Sequence, residues 1–159
     1  MSGGVEPFAV DYPEGAEVGY RWYAQRKARP LFPFGYGLTY TSFRYAGLKV
    51  EGGATLKVSF DVTNSGQREG ADVPQVYVQA RSSAGVTSYR LAGWEKLRLA
   101  PGETRRVSVT VDPRVIARFD TAAPGWKLDA ANYSVTVGRF AGDNMLSGSA
   151  SLDAQSIKP

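Results

Sequence analysis

Apolar and polar residues alternate most cleanly between Ala54 and Asn64, where Leu56, Val58, Phe60 and Val62 interleave with Thr55, Lys57, Ser59, Asp61 and Thr63. A two-residue period turns one apolar face inward and one polar face outward, so it predicts a half-buried antiparallel strand. The period recurs from Thr104 to Asp112 through Val107, Val109 and Val111, and from Tyr133 to Val137. Strand character also runs through Ala71 to Ala80, Leu91 to Leu99, Trp126 to Leu128 and Met145 to Leu152. Within Ala71 to Ala80, Pro74 has no amide to give to a ladder, which predicts a bulge or an edge position. Asn64-Ser65-Gly66 carries turn chemistry, and Ala100-Pro101-Gly102-Glu103 places Pro and Gly where a type II turn wants them. Arg81 to Tyr89 reads as a polar loop, Pro113 to Asp120 as the one short piece able to form a helical turn, and the tail as frayed.

About seven short strands separated by turn signals, with no helix long enough to cover a sheet, are the signature of an all-β, immunoglobulin-like or fibronectin-like antiparallel sandwich. The expected division is an extended lead-in over 1–40, a sandwich over 41–153 and a frayed tail over 154–159. The cysteines of antibody-type domains are missing. Tyr133 opens its alternation where a sandwich can place a tyrosine corner, and a plain core tyrosine fits the position equally well.

The lead-in departs from this regularity. Val5 to Gly19 carries prolines and glycines with little periodicity. From Gly19 to Phe43 the chain packs Tyr20, Trp22, Tyr23, Phe32, Phe34, Tyr36, Tyr40 and Phe43 among Pro30, Pro33, Gly35 and Gly37. The prolines argue against a helix. A stretch this rich in rings stays soluble when laid on another surface, because the alternative is a large exposed apolar patch. Phe32, Phe34, Tyr36 and Tyr40 are therefore expected to be buried against the sandwich or a neighbouring domain, or else exposed, self-covered or paired with a second copy.

Composition narrows the chemistry. The 159 residues include no cysteine, so neither disulfides nor a thiolate metal site exist, and no histidine, the usual general base and commonest metal ligand. The net charge of +4 is scattered apart from Arg26, Lys27 and Arg29 and the pair Arg105 and Arg106, which reads as solubility rather than an anionic partner. No apolar run is long enough to span a bilayer, and Met1-Ser2-Gly3-Gly4 looks like an artificial junction rather than a natural leader. Carboxylates such as Asp61 and Asp112 fall on outer faces, where solvated charge is the default. Gly35-Tyr36-Gly37 lacks the strand-turn-helix context of a dinucleotide site. The mix of rings and cations from Arg21 to Arg29 lacks the fold context of a nucleic-acid binder. Asn132-Tyr133-Ser134 matches a glycosylation sequon at the start of a strand.

Taken in order, GYRWY, PLFPFGYGLTYTSF, VSFDVTNSGQREGADVPQVYV, LAGWEKLRLAPGETRRVSVTV and NYSVTVG resemble the C-terminal part of glycoside hydrolase family 3 enzymes, β-glucosidases, β-xylosidases and their relatives. The resemblance runs from about Tyr12 to Leu152, and PFGYGLTYT is its most specific motif. It departs from the family at Ala130-Ala131-Asn132, where Pro-Gly often precedes the tyrosine of the late strand.

The resemblance implies a fibronectin type III-like accessory domain of a retaining exo-glycosidase, preceded by a linker. The family's nucleophilic aspartate and acid/base glutamate belong to domains outside these residues, so no catalytic residue, cofactor or metal ligand carries over, and the chain alone is expected to be inert. Tyr20, Trp22, Tyr23, Phe32, Phe34, Tyr36 and Tyr40 are the expected domain-interface residues, with the parent's catalytic domains as partner. Arg81 to Tyr89 is the segment expected to reach toward a neighbouring active site. Trp126, Trp94 and Tyr89 are candidate carbohydrate contacts, with Trp94 read as core or sheet-face packing. An independent carbohydrate-binding module and an adhesion or scaffolding module are the competing readings. Self-association through an exposed linker is a further expectation, with neither nucleic acid nor membrane as a partner. The compartment stays open, a periplasmic or secreted setting being favoured over a cytoplasmic one.

Overall fold

Residues 10–13, 15–82, 85–86 and 88–158 are described in a computed structural model. In chain order the elements are α1 (Tyr20–Arg26), β1 (Phe43–Glu51), β2 (Lys57–Asn64), β3 (Gly70–Asp72), β4 (Gln75–Ser82), β5 (Gly85–Val86), β6 (Arg90–Trp94) and β7 (Leu97–Leu99). There follow β8 (Thr104–Thr110), α2 (Pro113–Ile116), β9 (Arg118–Asp120), β10 (Gly125–Leu128), β11 (Ala131–Gly138), β12 (Leu146–Leu152) and β13 (Gln155–Ile157). One sheet runs β1-β2-β8 and another β12-β11-β4, with β5 and β6 both pairing onto β4. All of these pairings are antiparallel, as the alternation predicts.

The strand alternations become the core. Val58, Phe60, Val62 and Val107 from the first sheet meet Val76, Val78, Val135 and Val137 from the second in one apolar cluster, all fully buried or nearly so. Burying each such side chain contributes about 2 kcal/mol. Asn64 ends the β2 alternation on the inward side, and its amide is fully used. Its Nδ2 donates to the carbonyls of Arg68 (2.8 Å) and Leu99 (2.9 Å), and its Oδ1 accepts from Thr41 Oγ1 (2.6 Å) and the Gly66 amide (3.1 Å). A buried amide satisfied in this way ties the lead-in, the loop after β2 and the end of β7 together, its four hydrogen bonds offsetting the desolvation.

Several local expectations hold. Gly102 has φ +76° and the Glu103 amide donates to the Ala100 carbonyl at 3.0 Å, the geometry of a type II turn with glycine at its third position. α2 is the helical turn expected near Pro113, capped by Asp112, whose carboxylate accepts the Arg114 amide at 2.9 Å. The Tyr133 hydroxyl donates to the Asp129 carbonyl at 2.9 Å, which makes it a tyrosine corner.

Others are corrected. A seven-residue helix, α1, forms within the lead-in, because Pro30 and Pro33 lie beyond its end and do not reach its hydrogen bonds. Pro74 makes neither an edge nor a bulge. It sits between β3, which pairs with β7, and β4, which lies inside the larger sheet, so the missing amide falls where the chain passes from one pairing to the next. Leu91 to Leu99 is likewise two strands, broken at Glu95 and Lys96. In the segment read as a polar loop, Arg81 and Ser82 pair with Val86 and Gly85 as a hairpin, while Ser83, Ala84 and Thr87 lie outside the described residues. The tail is not frayed as expected: β13 pairs with β10, Trp126 opposite Ile157, giving the edge strand a partner.

Candidate docking face

Within β4, Val76 and Val78 face the core, so Tyr77 and Gln75 point to the outer side of the sheet, where polar side chains are the norm. Tyr77 is nevertheless only 1% exposed. What covers it is the lead-in, which crosses the outer face of the sheet as a strap.

The strap is fixed by rings and by backbone. Tyr77 stacks on Tyr89 with centroids 4.5 Å apart and planes 5° from parallel. Tyr20 of α1 closes over both, edge-on at 5.8 Å to Tyr77 and 6.2 Å to Tyr89, and lies 5.2 Å from Phe34. The Tyr20 hydroxyl accepts the Leu91 amide of β6 at 2.9 Å, at the irregularity where the β4–β6 register shifts. Further along, the Ala141 amide donates to the Phe34 carbonyl at 2.9 Å, and Tyr36 meets Phe140 edge-on at 5.4 Å. Gly35, at φ +84°, lies directly over Gln75, and a Cβ there would stand 2.1 Å from the Gln75 Nε2. Gln75 is itself buried and accepts a hydrogen bond from the Tyr77 hydroxyl. Burial pushes the Tyr77 phenol far above its ordinary value, with Tyr89 and Tyr20 adding to the effect, and burial raises Tyr89 as well. Both phenols therefore stay neutral at physiological pH, Tyr77 donating to Gln75 and Tyr89 accepting the Gly142 amide at 3.4 Å.

The outer side of the strap is a different surface. Phe32 is 70% exposed and Tyr40 92%, with Leu31 and Leu38 even barer than Phe32, while Phe34 and Tyr36 are about half covered. Trp22 and Tyr23 meet edge-on at 5.2 Å on the exposed side of α1, with the Arg26 guanidinium 5.8 Å from the Trp22 ring centre. Between α1, the strap and the Phe140 loop opens a groove of about 850 Å³, walled by Tyr23, Arg29, Phe32, Tyr36, Phe140 and Asn144 among others. A second, smaller cleft of about 80 Å³ lies beside Arg90, whose guanidinium is already engaged by the carbonyls of Val115 (2.9 Å) and Ala117 (3.2 Å).

The seven interface candidates thus divide. Tyr20 is anchored inward, Phe34 and Tyr36 bridge, and Trp22, Tyr23, Phe32 and Tyr40 face out. The sugar-contact candidates divide too. Tyr89 is enclosed by Tyr77 and Tyr20, and Trp126 is half-buried against Phe119 at the margin of the core. Trp94, expected to pack, is instead 64% exposed at the end of β6 beside Gln75, because the strand breaks at the next residue and no strap residue crosses its ring. Asp61 pairs with Arg106 at 3.2 Å and Asp112 caps α2, so both outer-face carboxylates have structural partners. Among the described residues no group of three or more Asp and Glu is placed to hold a metal. Reading the strands missed Tyr77, Gln75 and Phe140 as the seat of the strap. The available signal was an aromatic on the polar side of an alternation.

Residues 72–141 match the family model described as a fibronectin type III-like domain. The chain is 38% identical over 156 residues to β-glucosidase B of Emericella nidulans, an alignment covering 94% of this chain and 18% of that protein. It is 36% identical to thermostable β-glucosidase B of Acetivibrio thermocellus, over 86% of this chain and 19% of that one. The structure of β-glucosidase 3B from Thermotoga neapolitana in complex with glucose superposes with a TM-score of 0.84 at 36% identity, covering 93% of this chain and 21% of that one. The chain therefore spans about a fifth of the length of these relatives.

Proposed function

We propose that the chain, which matches a fibronectin type III-like domain over residues 72–141 and aligns with about a fifth of the length of family 3 β-glucosidases, is a non-catalytic accessory domain that packs on the catalytic domains of such an enzyme and stabilises them. The observation that carries this is the outer side of the strap. Leu31, Phe32, Leu38 and Tyr40 are held open to solvent on a segment whose inner side is firmly fixed. An ordered row of apolar side chains this exposed marks a protein-binding surface. The exposed Trp22 and Tyr23 extend the same surface along α1, and Tyr20, Phe34 and Tyr36 hold it in place. The hydrolytic carboxylates, a pair about 5 Å apart in a retaining enzyme, then belong to the catalytic domains.

Two measurements test this. The purified chain should leave an aryl β-glucoside intact, and it should raise the melting temperature of separately expressed catalytic domains of the parent enzyme. Hydrolysis abolished by substituting one carboxylate of this chain, or catalytic domains indifferent to its presence, overturns the reading.

A second reading rests on Trp94 alone. Its open ring beside β6 is the one candidate sugar platform left uncovered, and a carbohydrate-binding role predicts saturable oligosaccharide binding that Trp94→Ala removes while the fold persists.

A further inference from the structure

Charge on this molecule is unevenly distributed. Between Val18 and Val50 there are six cations and no Asp or Glu, leaving thirteen cations against fifteen acids for the rest of the chain. The eight ion pairs among the described residues all lie from Lys49 onward, and they engage Glu51, Asp61, Glu69, Glu103, Asp112, Asp120, Asp129 and Asp143. Arg21, Arg26, Lys27 and Arg29 take part in none of them. The last three are exposed, and Arg29 stands in the wall of the groove beside Tyr23 and Phe32.

From this we infer that the surface received by the strap is an acidic one, an apolar centre for Phe32, Leu31 and Tyr40 rimmed by Asp or Glu that meet Arg26, Lys27 and Arg29. The inference rests on the accessory-domain reading and specifies its partner. About four fifths of each relative's length lies outside this stretch, and the acidic surface is inferred to lie there. A second copy of the chain is a poor occupant, because a two-fold contact through the strap brings the same exposed cations together. A neutral glycan is a poor occupant too: the groove wall carries many rings and no carboxylate to accept from sugar hydroxyls. Opposed charge mainly sets the rate of encounter and the orientation, whereas the rings hold the complex once formed.

The test uses the whole 159-residue chain and the catalytic domains of the parent β-glucosidase supplied as a separate polypeptide, with association and dissociation rates measured at about 50 and 500 mM salt. The association rate of the unaltered chain should fall about tenfold across that range, and the double change Lys27→Glu with Arg29→Glu should lower it by a similar factor at low salt. Phe32→Ala should instead speed dissociation. Circular dichroism confirms that these exposed changes leave the fold intact. Association that ignores salt and charge reversal leaves the accessory-domain reading standing and overturns the acidic partner. No association at either salt overturns both. Binding of cellotetraose abolished by the same charge reversal, or a concentration-dependent dimer lost with Phe32→Ala, assigns the groove to a glycan or a second copy and overturns the inference.

Discussion

The hydroxyl of Tyr20 accepts the backbone amide of Leu91 at 2.9 Å, joining the helix of the strap to an irregular point in the sheet beneath it. The bond gives the Leu91 amide a side-chain acceptor beside the register shift, and it fixes where the strap begins to cross the sheet.

Tyr20→Phe removes the acceptor and keeps the ring, and should lower stability by about 1 kcal/mol. Tyr20→Ala also removes the contacts to Phe34, Tyr77 and Tyr89 and should cost about 3 kcal/mol. Urea unfolding gives both values. Trypsin should cut after Arg26 and Lys27 faster in the alanine variant, because a loosened strap opens these sites. Equal cleavage rates in all three proteins would mean that the ring does not hold the strap.

Gly35→Ala tests the middle of the strap. The added methyl meets the Gln75 amide at 2.1 Å and the backbone φ of +84° is strained for any side chain, so a loss of about 2 kcal/mol is expected. Gly37→Ala, where the added methyl meets nothing within 4 Å, is the matched control and should be nearly silent.

Tyr133→Phe should cost about 1 kcal/mol through the lost bond to the Asp129 carbonyl, with no change in the strap's protease sensitivity. This separates the sandwich from its covering. A variant as stable as the parent would show the corner to be idle.

Acid behaviour should turn on Asp72. Burial raises its pKa above the ordinary 3.8, against the lowering effect of hydrogen bonds from the Tyr45 hydroxyl, 2.7 Å away, and the Val73 amide. A carboxyl with a higher pKa folded than unfolded takes up protons on folding. Its contribution is complete below the unfolded value and is lost as pH rises through the folded one. Asp143 has the opposite sign: its pKa is lowered because bonds from Arg139 outweigh burial, so its contribution is present above 3.8 and fades as pH falls through the folded value. Asp120, held at about 2 by Lys127 and the amides of Ala122 and Ala123, likewise fades as pH falls from 3.8 to about 2. The stability of the parent relative to Asp72→Asn should accordingly grow as pH falls from 7 to 4 in urea titrations, and a gap independent of pH would remove Asp72 from the account.

The sandwich was legible in the chain because its strands bury one face, and burial of one face writes a two-residue period. β2, β8 and β11 follow that period residue by residue, and Tyr133 stood where a corner was one of two readings. The strap was legible as composition but not as contact. Which rings turn in and which turn out depends on a sheet more than thirty residues away, and nothing local to Phe34 or Tyr40 distinguishes them. Trp94 was misplaced because a strand pattern says which side a ring takes but not whether anything lies on that side. The ends of β4 and β6 failed for a similar reason: Pro74 and Glu95 mark changes of pairing partner, which sequence period does not record.

The attachments of the strap lie in series along the chain: Tyr20 on Leu91, then Phe34 and Gly35 on Ala141 and Gln75, then Thr41 on Asn64. A pull on its N-terminal side would meet them one at a time, each bearing the whole load alone, whereas β1 shares its load across a ladder paired with β2 from Phe43 to Glu51. Under tension the strap should therefore peel away as a first, low-force step and leave the sandwich folded behind it. Loaded from that side, the strap would act as a mechanical fuse that spares the sandwich.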